Sequence, residues 1–129
     1  MNIPHLLPPL WLIHVSVAAV WLYEGLWCKL LNGESNQLRV VQAVPRFAPK
    51  TANAFLKLLG VTEVAIAIWA LTGIAPIFCA IAQTALIVAL NGGGILWASR
   101  IIHDPAGMVI KNFAFLALAW VSASFPNWK

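Results

Sequence analysis

The sequence predicts an all-α integral membrane protein, a four-helix bundle of antiparallel, up-down spans. Three observations carry this. The 129 residues are 61% hydrophobic and only 9% charged, whereas a soluble domain is about a quarter charged. Four apolar stretches of roughly 19–24 residues each match a bilayer's thickness at about 1.5 Å of rise per residue. Helix punctuation stands between the stretches. Lipid offers no partner for open backbone groups, so each stretch is expected to be helical.

The first span covers about residues 8–31. Pro8 and Pro9 suit a first helical turn, where the missing N–H is no loss, and Asn32-Gly33 is a left-handed stop signal. The second covers about 53–71 and ends at Thr72-Gly73, so tight a connection to the third that the two must form an antiparallel hairpin. The third covers about 76–99, from Pro76. The fourth covers about 105–125, with Asp104 as N-cap, Pro105 just inside and Pro126 as the stop. The longest connection, residues 32–52, carries Leu38, Val41 and Val44 against Arg39 and Gln42. That pattern predicts a short interfacial helix over 35–44 between spans 1 and 2. No domain boundary, repeat or low-complexity tract divides the chain, so residues 1–129 read as a single membrane domain. The N-terminal Met1-Asn2-Ile3-Pro4-His5 lacks a basic start and a convincing cleavage site, so no removable signal peptide is expected.

The formal net charge is +4, but the basic residues sit in loops and at span ends. They fit a headgroup region and not nucleic acid. Arg39, Arg46 and Lys50 lie in the first connection, with Lys29 and Lys57 at its rims; Arg100 and Lys111 flank the third. The positive-inside rule places that side in the cytoplasm and both termini outside it, with a bacterial inner (plasma) membrane as the default host. Trp11, Trp69 and Trp128 fall near the outer interface, Trp27 and Trp97 near the inner one.

Each span carries an isolated polar residue: Glu24, Glu63, Asn91 and Asn112. Threaded up and down, they lie roughly 9–15 Å from the cytoplasmic ends, a zone about 6 Å thick. Carboxyls and amides are costly in hydrocarbon and normally face a bundle interior or a wet cavity. Gly60, Ala67 and Ala70 share a helical face with Glu63. Thr84, Asn91 and Ala98 recur every seventh residue with Gln83 beside them, and Asn112, Ala119 and Ala123 share a third face. Small residues allow close helix approach in lipid. Interhelical hydrogen bonding explains the amides. The acids invite more, since a carboxyl that keeps its proton can bind a carbonyl, pass a proton or hydrogen-bond a quinone-like head group. The candidate ligand-binding residues are therefore Glu24, Glu63, Asn91, Asn112, Thr84, Gln83, Trp21 and His14.

Other features take plainer readings. Lys29 follows Glu24 by five residues, about 140° around an α-helix, and is expected to snorkel to the interface and not to pair with Glu24; Lys111 can do the same. His14 has no second histidine at matching depth for haem and reads as a hydrogen-bonded structural residue. Cys28 and Cys79 stand alone and read as packing residues, and no metal site is expected. Asn91-Gly92-Gly93-Gly94 lacks the strand and lysine of a phosphate loop and suits a bend or close packing.

Three motifs, in order, carry a family resemblance. Trp21-Leu22-Tyr23-Glu24-Gly25, continuing to Lys29-Leu30-Leu31, resembles the aromatic–x–x–Gly–x–x–x–Lys-Leu pattern of DoxX-like small membrane proteins. Gly60-Val61-Thr62-Glu63 resembles their Gly-x-x-Glu segment, and Asp104-Pro105 through Lys111-Asn112 their Asn/Asp-Pro and Lys-Asn. The resemblance implies a four-helix membrane bundle with Glu24, Gly25, Lys29, Gly60, Glu63, Lys111 and Asn112 as motif positions. It also implies an association with membrane redox chemistry, since relatives include a thiosulfate:quinone oxidoreductase subunit and companions of NAD-binding epimerase-like proteins. With no redox cysteine pair and no soluble domain, the expectation is not an enzyme on its own. It is an accessory protein that binds a quinone- or lipid-like molecule and offers its basic face to a soluble oxidoreductase partner. The alternatives are a transporter or proton-conducting unit, which would need a homo-oligomer for room, and a structural or assembly subunit without ligand. The orientation is testable: a reporter fused to the C-terminus should be active only in a form that works outside the cytoplasm.

Overall fold

The computed structural model describes residues 8–31, 33, 36–45 and 47–125. The expectations for His5, the Asn32 stop, the helix start at Ser35, Arg46, the Pro126 stop and Trp128 fall outside the described residues. The described chain is all helical: α1 (Leu10–Leu30), α2 (Asn36–Gln42), α3 (Pro49–Thr72), α4 (Pro76–Ala98) and α5 (Pro105–Ser124). The four long helices are long and apolar enough to cross a bilayer, and they are the four spans expected.

Most ends follow the expected chemistry. Pro49, Pro76 and Pro105 open their helices. The Asp104 carboxylate accepts from the Gly107 N–H at 3.1 Å, satisfying one of the orphan donors of the first turn. Gly73 ends α3 with φ 70°, a conformation that glycine adopts without Cβ strain. The α3–α4 turn is further closed by Trp69, whose indole donates to the Ile74 carbonyl at 2.6 Å. α3 begins at Pro49, four residues before the expected boundary, because a proline at the first helical position nucleates the turn. The glycines at 92–94 do not break α4.

The bundle is unevenly packed. α1 lies along α3 throughout and α4 lies along α5, while α3 meets α4 only sparsely. α1 meets α5 only through its Leu10–Leu22 part. In that half, nearer the α3–α4 turn, a core of Val17, Ala18, Trp21, Ile66, Ala67, Ile87 and Ala119 fills the interior. In the other half α2 tucks under the bundle. It does not lie on lipid alone, because Val41 packs on Ala52 and Leu56 of α3 with Leu38, Phe47 and Phe55 around them.

Two features of the α1–α3 contact set the geometry of everything below. First, Tyr23–Leu30 is π-helical, with the wider i→i+5 bonding pattern; the Leu31 N–H still bonds the Leu26 carbonyl at 2.9 Å. Its end is held from α3 by Lys57, whose ammonium donates to the Lys29 and Leu30 carbonyls at 3.0 and 2.7 Å. Carbonyls at a helix C-terminus have no partner of their own, and a cation there is favourable. Second, Gly25 and Gly60 bring the two backbones together. A Cβ on Gly25 would lie 2.7 Å from the Gly60 carbonyl oxygen, and one on Gly60 would lie 2.9 Å from that of Gly25. Gly60→Ala should therefore cost about 1–3 kcal/mol, read as a lower melting temperature in detergent. Gly92→Ala, where nothing stands within 4 Å, should be neutral or stabilising by about 1 kcal/mol at most.

Candidate functional site

The four isolated polar residues all line one cavity of about 740 Å³ in the half of the bundle nearer α2. Val20, Trp21, Leu59, Ile87, Leu90 and Phe115 form apolar walls, and the polar groups gather on α1, α3, α4 and α5.

The centre of the polar group is a lysine. Lys29 is 5% exposed and Glu63 1% exposed. The Lys29 ammonium stands 2.9 Å from Glu63 Oε1 and 3.1 Å from Oε2. It also approaches Glu24, at 3.5 Å from the backbone carbonyl and 3.7 Å from the carboxylate. The expectation that Lys29 snorkels outward is thus overturned. The physical reason is the π-helical segment: with i→i+5 closure, residues five apart come round to nearly the same face. Glu24 and Lys29 therefore face the same interior, where an α-helix would hold them about 140° apart. The Gly25–Gly60 contact then brings Lys29 against Glu63, with Lys29 Cβ only 3.0 Å from a Cβ placed on Gly60.

Glu24 is the more open acid, with its side chain 39% exposed. Its carboxylate accepts from the Gln37 amide of α2 at 3.3 Å, and α2 is tied to the α4–α5 connection by Asn36, whose amide donates to the Ile101 carbonyl at 3.4 Å. Across the cavity, the Asn112 amide donates to Asn91 Oδ1 at 3.0 Å, and the Asn91 amide donates to the Ile87 carbonyl at 2.9 Å. This pair joins α4 to α5 as the acid–lysine cluster joins α1 to α3. Lys111, His103 and Asp104 stand at the rim, all exposed.

The remaining candidates do different jobs. Trp21 closes the cavity toward the packed half: its indole donates to Gln83 Oε1 at 2.8 Å, and its ring meets Phe115 edge-on at 5.7 Å. The Gln83 amide reaches Cys79 Sγ at 3.4 Å. Gln83 and His14 line a second, much smaller space of about 20 Å³, and His14 Nδ1 lies 2.7 Å from Ser122 Oγ. Thr84 lies outside both spaces and accepts from the Trp120 indole at 3.0 Å. Sequence reasoning missed Gln37, Asn36 and Ser122. Ser122 had a legible signal, a hydroxyl on α5 at the depth of His14; Gln37 had none, since its approach depends on how the connection folds back.

The cavity is not walled on every side. Tyr23–Leu30 touches α3 and α2 but not α5, and α2 touches α1, α3 and α4 but not α5. This part of α1 and the first turns of α5 do not approach at the backbone. Val20, Trp21 and Glu24 line the cavity from α1, and Met108, Lys111 and Phe115 from α5.

A buried ion pair gains little over apolar packing, but breaking one partner leaves an uncompensated charge. Lys29→Met should cost about 3–5 kcal/mol, and combining it with Glu63→Met should recover most of that loss. Thermal melting of the three variants and the parent in one detergent checks both statements.

Comparison with known proteins adds one finding. No curated protein and no solved structure matches the chain. Residues 18–120 match the DoxX-like family, a stretch that holds α3 and α4 whole and most of α1 and α5. By that match and by its four apolar helices, the chain is an integral membrane protein that belongs to the DoxX-like family.

Proposed function

We propose that this protein is an accessory membrane subunit that binds a hydrophobic small molecule, quinone- or lipid-like, in the cavity between Trp21 and the Lys29–Glu63 pair. The observation that carries the reading is the cavity itself: about 740 Å³, apolar walls, and a few convergent polar groups at one end. This is the composition of a small-molecule site. A purely structural bundle gains nothing from leaving such a volume unfilled beside buried charges, since interiors otherwise pack closely. A conducting unit is less well supported, because the core around Trp21 and Ile87 fills the far half of the bundle.

The charge pattern supports an orientation with the α2 end in the cytoplasm, in a bacterial inner membrane. Arg39, Lys50 and Arg100 are exposed at that end, and a soluble oxidoreductase partner with an acidic face would dock there. The ligand reading is tested on protein extracted in mild detergent. Native mass spectrometry should show one releasable lipid-soluble molecule per chain, and decylubiquinone or a single-chain lipid added to stripped protein should raise its melting temperature. Leu90→Trp, which fills the cavity from α4, should remove both effects while the chain stays folded. Absence of any adduct and of any shift overturns the reading.

A further inference from the structure

The polar end of the cavity has an unequal charge balance. Both Glu63 oxygens are taken by Lys29. The ammonium has three donors; two serve Glu63, and the Glu24 backbone carbonyl lies nearest the third. The Glu24 carboxylate stands beyond hydrogen-bond reach of Lys29, at 3.7 Å, and is met by one neutral amide, that of Gln37. Two acids thus share one cation, and the surplus negative charge sits on the carboxylate that faces the cavity. At the rim, exposed Asp104 and Lys111 bring one charge of each sign. Asn91 and Asn112 offer donors and acceptors alike and do not change the sign.

A carboxylate in a membrane span whose one cation, Lys29 at 3.7 Å, is hydrogen-bonded to another acid is under-compensated, and a bound cation relieves that cost. A carboxylate head group would repeat the sign already in surplus, and the carbonyls of an oxidised quinone, which only accept, would leave the Glu24 carboxylate without a new partner. We infer that the occupant is an amphiphile with a protonated amine head, its ammonium held by Glu24 and its chain laid against Trp21, Leu90 and Phe115. This rests on the ligand-binding reading and narrows its chemistry from quinone- or lipid-like to a cationic single-chain lipid.

The test uses the full chain in nanodiscs of neutral phosphatidylcholine at pH 7, titrated calorimetrically with dodecylamine, dodecanol and dodecanoate against empty discs. Dodecylamine should saturate one site per chain at least about tenfold more tightly than the other two. Glu24→Gln should weaken the amine about tenfold and leave dodecanol within about twofold. Dodecanol or dodecanoate binding as tightly as the amine overturns the inference and leaves the ligand reading standing, as does amine binding unchanged in Glu24→Gln. Binding of none of the three above empty discs overturns the ligand reading itself. If Glu24→Gln does not fold, the head-group series on the parent chain decides alone.

Discussion

The close contact of Gly25 with Gly60 is the constraint on which the rest of the structure depends. Two helices can approach to backbone distance only where neither carries a Cβ, and here that happens one turn from a buried lysine and a buried glutamate. An ion pair in this position is worth little unless its geometry is good. The glycines supply the geometry, and the pair supplies the register: sliding α1 along α3 by one turn would leave both charges in hydrocarbon without a partner. Lys57 completes the arrangement by holding the end of α1 from the same helix.

The cavity follows from this tight pairing. α1 follows α3 and α4 follows α5, but the two pairs meet firmly only in the half that contains Trp21, Ile87 and Ala119. Toward α2 the backbones of α1 and α5 no longer meet, and α2 lies between the pairs in contact with both α3 and α4. The Asn91–Asn112 bond and the Lys29 cluster face each other across that space. α2 seals one wall by packing its apolar residues on α3.

Much of this was legible in the residues. The spans, the proline starts, the Asp104 cap, the Gly73 stop and the gathering of Glu24, Glu63, Asn91 and Asn112 in one zone all follow from local chemistry and span length. What was not legible was the pairing. An α-helix would turn Lys29 away from Glu24 and toward the interface, and nothing in Tyr23–Leu30 announces a π-helical run, which is a tertiary accommodation to α3 and not a propensity. Thr84 and Gln83 share a face with Asn91 on paper but end up bonded to tryptophans, because a polar residue in lipid takes whichever donor lies within reach. The role of Gln37 depends on a connection folding back under the bundle, which periodicity does not describe.

The wide turn of Tyr23–Leu30 also carries a consequence for how this segment can vary over time. It behaves as though one residue more had been fitted into the length of an ordinary helix. Removing one residue between Glu24 and Lys29 would relax the turn to an ordinary α-helix and leave what stands before it and after it in nearly the same relative rotation. Glu24 and Lys29 would then stand four apart, still on one face. The segment is thus lenient in its count and strict at Gly25 and Lys29, where the contact with α3 is made.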